Sequence, residues 1–125
     1  MQEALKNIGK DAEIVLDEMP KVFLELKNSD KILRVDEFEK SNKNYDLAIL
    51  DNNSKSNFLI SDNILEKSKR SINIDHHIGG NIFTDIMYVE EDSPAVCETV
   101  YKILKELKYD ITYDMMKAII IGVIT

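Results

Sequence analysis

The feature that most constrains the fold is a run of four apolar residues, Leu47 to Leu50, which lies between Asp46 and Asp51. Four apolar residues without a polar interruption are typical of a parallel strand that is buried on both faces. We therefore predict a central strand here. A second candidate strand covers 71–75 and also ends in an acidic residue.

Helical and extended patterns alternate along the rest of the chain. We predict helices over 2–8, 20–26, 60–67, 93–107 and 114–124, and strands over 13–16, 31–35 and 83–89. Gly9 is expected to close the first helix in a left-handed conformation, and Ser93 is expected to cap the fourth helix, with Pro94 in its first turn. The last helix is apolar nearly all round and is expected to be buried. The alternation predicts an α/β fold with a mostly parallel sheet flanked by helices.

Acidic and histidine side chains follow the two best candidate strands. Asp51 ends one strand, and Asp75-His76-His77 ends the other. Ligands of open parallel sheets bind beyond the carboxyl ends of the strands, so we expect these groups at one edge. Carboxylate oxygen and imidazole nitrogen suit Mn, Zn, Fe or Co better than Ca. The residues alone also allow a turn-capping Asp and a solvated pair of histidines.

Composition limits the kinds of partner. Lys and Arg number 16 against 23 Asp and Glu, which gives a net charge of -7 and argues against bulk nonspecific DNA binding. Divalent ions could supply the local positive charge that a phosphorylated ligand needs. The single Cys97 excludes an internal disulfide and is interpreted as a structural thiol. No apolar run is long enough to cross a membrane and no signal peptide is visible, so we expect a cytoplasmic location.

Asn73-Ile74-Asp75-His76-His77 resembles the signature of the DHH phosphoesterase superfamily. Other segments resemble further family motifs: 9–15 the passage from helix to second strand, 45–51 the second motif, and 88–98 the segment that opens the next helix. The superfamily includes nano-RNases, cyclic-dinucleotide phosphodiesterases, single-strand DNA exonucleases, exopolyphosphatases and family II pyrophosphatases. The resemblance spans essentially the whole chain.

The resemblance implies specific roles. Asp51 matches the carboxylate that bridges two metal ions, usually Mn2+, with Mg2+ or Co2+ as alternatives. His76 matches a ligand of one ion, His77 the histidine that faces the scissile phosphate, and Asp75 a residue behind them that orients an imidazole. The implied reaction is hydrolysis of phosphodiester bonds in short oligonucleotides or in cyclic or linear dinucleotides by metal-activated water. A pyrophosphatase or exopolyphosphatase acting on polyphosphate is the alternative, and a non-catalytic remnant that binds metal or ligand is another.

The sequence also departs from the family pattern. The family's first strand with its Asp-rich motif, the Asp of the fourth motif and the C-terminal substrate-binding domain have no counterpart in residues 1–125. Asn52-Asn53-Ser54 also differs from the residues that many relatives carry after the second motif. We therefore expect a partial DHH domain with too few ligands for a tight two-metal site, inactive by itself. Unpaired strand edges predict a possible homo-oligomer.

Overall fold

The structure is a computed structural model, and it describes residues 1–57 and 61–125. Its helices are α1 (Gln2–Asn7), α2 (Val35–Lys40), α3 (Asp62–Lys67), α4 (Val96–Glu106) and α5 (Tyr113–Ile124). Its strands are β1 (Val15–Leu16), β2 (Leu33–Arg34), β3 (Leu47–Leu50), β4 (Ser71–Asp75) and β5 (Ile86–Val89). The predicted α/β class, with parallel sheets and flanking helices, is confirmed.

The described strands form two parallel sheets, β1–β2 and β3–β4–β5. In the larger sheet β4 is the middle strand, with Leu47 of β3 opposite Ser71 and Val89 of β5 opposite Asp75. The prediction that β3 is central and buried on both faces is therefore wrong for the described residues. Ile49 is buried, but Leu50, which points to the opposite face, is 42% exposed, so the described elements cover one face of β3. In the described sheet β3 also pairs with a neighbour on one side alone. The strand that carries the histidine motif takes the central place.

The apolar core lies between three helices. Ala4 of α1, Val100 and Leu104 of α4 and Met115 of α5 form a buried cluster. These α4 residues follow a helical spacing, and α4 also packs against β4. Helix α4 therefore lies between this helical core and β4.

Helix α5 does not fulfil the expectation that it is buried. Met115 is buried, whereas Ile120, Val123 and Ile124 are exposed. The described elements cover one side of α5. Because the helix is apolar nearly all round, its other side exposes apolar side chains to solvent. No helix among the described residues is long and apolar enough to cross a bilayer.

Several predicted boundaries need correction. The fourth helix starts after Ala95 rather than at Ser93, because the Ser93 hydroxyl donates to the Ala95 carbonyl and closes a turn. The helix after Pro20 has 3-10 geometry over Lys21–Glu25. The sequence did not predict α2, which begins where Glu37 accepts a hydrogen bond from the Arg34 main-chain N–H at 3.1 Å.

The first and third predicted helices agree better with the structure. Gly9 follows α1 with φ +81°, as predicted for a left-handed cap. Ser61 caps α3, its hydroxyl accepting from the Asn63 N–H at 3.2 Å, so the helix begins slightly later than predicted. The first residue of that predicted helix, Ile60, lies outside the described residues.

Candidate metal centre

Three side chains meet at the carboxyl edge of the larger sheet. Asp51 follows β3, and His76 and His77 follow the adjacent parallel strand β4. The Nε2 atom of His76 lies 3.3 Å from Asp51 Oδ1, and one potential ligand atom from each residue falls within 4.8 Å of the others. The strand pairing therefore brings together the residues that the sequence predicted at this edge.

The backbone of Asp51 adopts a left-handed conformation, with φ +64°. Asp tolerates this region better than branched residues do. Its N–H still donates to the Ile74 carbonyl at 3.0 Å, so the sheet pairing continues up to this residue. The chain then turns away, and the carboxylate remains half exposed beside the histidines.

The orientation of His76 is set by a main-chain group. Its Nδ1 atom lies 2.9 Å from the carbonyl oxygen of Ser93. Because a carbonyl can only accept, this hydrogen bond places a proton on Nδ1, and the neutral ring then directs its Nε2 lone pair to the side of Asp51. Metal-binding histidines usually have such a partner for the other ring nitrogen.

Asp75 lies behind both histidines and is 1% exposed. Its Oδ1 atom accepts from the His76 main-chain N–H at 2.8 Å and contacts His77 Nδ1 at 2.7 Å. The hydrogen bond that His77 Nδ1 donates to Asp75 is the largest of the influences that raise the pKa of His77. Burial opposes it, and the charges of Asp75 and Asp51 add to it. The contact of His77 Nδ1 with Asp51 is longer, at 3.8 Å. Asp75 therefore fixes the orientation of the His77 ring through Nδ1.

Buried polar residues tie the two strand ends together. Asn73, which is fully buried in β4, donates from Nδ2 to the Asn52 carbonyl at 2.6 Å. On the other side of β4, the Glu90 N–H donates to the Asp75 carbonyl at 3.0 Å. The carboxylate of Glu90 is held by Lys102, which also contacts Glu98. Glu98 thus belongs to an ion-pair network on α4 and not to the cluster of Asp51 and the histidines.

The donor atoms of the cluster fit a divalent ion of the Mn, Zn, Fe or Co type. Asp51 offers a carboxylate oxygen, and the neutral His76 ring, protonated on Nδ1, offers Nε2. His77 is the third nearby group among the described residues. Three side chains can contribute to one ion, whereas two ions at ordinary coordination need more protein ligands than this cluster offers.

The family follows from a comparison with models of known protein families. Residues 1–123 match the model of the DHH family, N-terminal domain. The chain belongs to the DHH family. The relationship that the Asp75-His76-His77 run predicted is thereby confirmed. Members of this family are generally metal-dependent, which agrees with the metal-binding group described above.

The fold of this DHH domain is also found in a solved structure, that of an exopolyphosphatase-related protein from Bacteroides fragilis. The two superpose with a TM-score of 0.84 at 21% sequence identity, over 94% of this chain. The matched part is 37% of the Bacteroides protein, so the chain spans little more than a third of that protein's length. No curated protein sequence matches this chain.

Sequence reasoning missed two parts of this site. The first is the Ser93 carbonyl, a main-chain group that any residue could supply. The sequence Ser93-Pro94 indicates a helix start and gives no sign of a contact with His76. The loop that begins at Asn53 and faces Gly80 also went unpredicted. The Gly79-Gly80 pair was a usable signal, because it begins two residues after His77.

Proposed function

We propose that this DHH domain forms the metal-binding half of a phosphoesterase that hydrolyses phosphodiester bonds in short oligonucleotides or in cyclic or linear dinucleotides. The observation that carries the proposal is the position of His76, whose Nδ1 is engaged by Ser93 while Nε2 lies 3.3 Å from Asp51. A free imidazole lone pair beside a carboxylate is the arrangement that a divalent ion requires.

The proposed ligands are Asp51 and His76, and the proposed ion is Mn2+, with Mg2+ or Co2+ as alternatives. A bound ion of this kind polarises a phosphoryl oxygen and lowers the pKa of water. Asp75 would keep His77 oriented through the 2.7 Å contact at Nδ1. The hydrogen bond to Asp75 raises the pKa of His77 and so favours the protonated ring, which would donate its proton from Nε2 to a leaving oxygen.

We propose further that these 125 residues do not turn over substrate by themselves. In the described part of the chain the cluster offers three side chains, which is too few for the pair of ions expected in a complete domain. The remaining ligands and the substrate-binding surface would come from further segments of the family's architecture. A cytoplasmic location stays a prediction.

A second candidate is a pyrophosphatase or exopolyphosphatase, which would use the same metal site on a phosphoanhydride. The structural similarity to a protein described as exopolyphosphatase-related favours it. A third candidate is a domain that binds metal or ligand without catalysis, and the incomplete ligand set favours that one.

Calorimetry with Mn2+ tests the metal site. The wild-type chain should bind one ion weakly, and His76→Ala should abolish the binding. Ser93→Ala is the matched control, because it keeps the carbonyl that orients His76. Unchanged affinity in His76→Ala would show that His76 is not a ligand, and tight binding of two ions would show that the ligand count is wrong.

Activity assays on an extended chain that carries the family's first and fourth motifs test the substrate. Cleavage of pApA in the presence of Mn2+ is the expected result. Failure to cleave any dinucleotide would exclude the oligonucleotide proposal. Activity on pyrophosphate or polyphosphate would instead favour the second candidate.

A further inference from the structure

A shallow polar recess of about 390 Å3 lies between the loops that follow Asp51 and His77. Its lining residues are Asn53, Ser54, Ser56, Gly79, Gly80 and Asn81. One wall begins two residues after Asp51, and the other begins two residues after His77. The recess is thus continuous with the two loops that present the cluster.

Close main-chain contact joins the two walls. The Asn81 N–H donates to the Asn53 carbonyl at 3.1 Å. A Cβ atom at Gly80 would lie 2.3 Å from that same oxygen, so any other residue would force the loops apart. The shape of the recess therefore depends on glycine at this position.

The lining is rich in hydrogen-bond donors. Within the described residues, the main-chain N–H groups of Gly79 and Gly80 have no acceptor. The hydroxyls of Ser54 and Ser56 lie 3.0 Å apart, so one donates to the other and the second proton is available to a ligand. In the described part of the chain no carboxylate lines the recess, although the chain as a whole is acidic.

These donors suit an oxyanion. Concave surfaces formed by successive main-chain N–H groups bind anions, and phosphate oxygens accept from such groups and from hydroxyls. Nucleobases are bound mainly by stacking on aromatic rings, and among the described residues (1–57 and 61–125) no aromatic side chain lines the recess. The chemistry of the lining therefore favours a phosphoryl group over a base.

We propose that the recess binds a second phosphoryl group of the substrate, adjacent to the one that is cleaved at the cluster. This inference rests on the proposed phosphoesterase function. The second phosphoryl group would belong either to a polyphosphate chain or to the terminal phosphate of a short oligonucleotide. Both sources present the same oxyanion to the recess.

Amide NMR of the 15N-labelled chain in the presence of Mg2+ tests the proposal. Tripolyphosphate and pApA should shift the signals of Gly79 and Gly80, and inorganic phosphate should shift them much less. A larger response to tripolyphosphate would identify a polyphosphate chain as the source, and a larger response to pApA the oligonucleotide. Shifts as large with unphosphorylated ApA would assign the recess to a nucleoside and overturn the proposal.

Asn81→Asp places a negative charge in the recess and keeps the main-chain hydrogen bond to Asn53. We expect it to weaken tripolyphosphate binding about tenfold, since like charges at short range repel. Asn44→Asp is the matched control: it adds the same charge at an exposed position in a different loop, and affinity should not change. The double variant Ser54→Ala and Ser56→Ala should also weaken binding, and it adds no charge.

Two outcomes would refute the inference. Equal affinity in the wild type, Asn81→Asp and the double serine variant would show that the recess does not contact the ligand. If tripolyphosphate shifted the amide signals of His76 and His77 alone, the inference would also be refuted. That result would not contradict the proposed metal site. A wild-type chain that binds no Mn2+ in calorimetry would instead contradict the proposed function itself.

Discussion

The Nδ1 atom of His76 donates to the main-chain oxygen of Ser93, which lies 17 residues further along the chain, at 2.9 Å. The loop after β5 therefore determines which nitrogen of a residue after β4 carries the proton. We predict that neutral His76 in the metal-free chain is the Nδ1–H tautomer, and long-range 1H–15N spectra can identify it. Ser93→Ala should keep this tautomer because the carbonyl remains. An Nε2–H tautomer would contradict the proposed orientation.

Asp75→Asn should lower the pKa of His77. The hydrogen bond to Asp75 is the main cause of the raised pKa, and an amide lacks the charge that favours the protonated ring. NMR titration of the ring protons measures the change. Asp46→Asn is the control, because Asp46 pairs with Arg70 away from the site.

The same substitution should alter how stability depends on pH. Since the folded-state pKa of His77 is raised, its contribution is fully present below the unfolded value of 6.5 and is lost as the pH rises through the folded-state pKa. Urea unfolding of the wild type should show this loss, and Asp75→Asn should show less of it. An unchanged pKa in Asp75→Asn would exclude the contact as the cause.

Gly122→Ala should destabilise the packing of α4 against α5. The added Cβ would lie 2.2 Å from Cys97 Sγ, which can move only by rotation about one bond. Overpacking of this kind costs roughly 1–3 kcal/mol, measurable by urea denaturation. Adding Cys97→Ala should restore part of the loss, because the Cys97 Cβ is 3.3 Å away and can remain. Additive effects of the two substitutions would refute this explanation.

Thr112→Ala should destabilise the start of α5. The Thr112 hydroxyl accepts from the Met115 N–H at 3.3 Å and is the side-chain cap of this helix. Removing such a cap costs about 1 kcal/mol, which thermal unfolding can detect. Thr112→Ser keeps the hydroxyl and should be nearly as stable as the wild type. An equal loss of stability in both variants would show that the cap is not the cause.

Exposed apolar residues on α5 should promote self-association. Ile124 is 75% exposed and lies beside the exposed Ile120 and Val123 on one helix. We expect sedimentation velocity to show concentration-dependent association that Ile124→Lys reduces. Leu24→Lys introduces the same charge at an exposed residue outside α5 and should have little effect. A monomer at all concentrations would exclude the predicted homo-oligomer.

The sequence could predict that Asp51, Asp75, His76 and His77 meet, because the carboxyl ends of adjacent parallel strands lie at one edge. It could not predict the Ser93 carbonyl or the free N–H groups of the recess, since main-chain atoms have no residue signature. An apolar run shows that a strand can be covered on both faces, but it does not show which elements cover it. For that reason β3 was assigned a central place and α5 a buried one. Helix α2 was missed because it has six residues and depends on the local cap from Glu37.

The middle position of β4 has a consequence for the local stability of the site. His76 and His77 follow a strand that is paired on both sides, whereas Asp51 follows β3, which in the described sheet is paired on one side alone. Amide hydrogen exchange is fastest where a strand must break contacts with the fewest neighbouring strands. The amides of β3 should therefore exchange before those of β4. Brief detachment of β3 would then remove Asp51 from the histidines without global unfolding. The affinity of the cluster for a cation would include the free energy of keeping that strand in place.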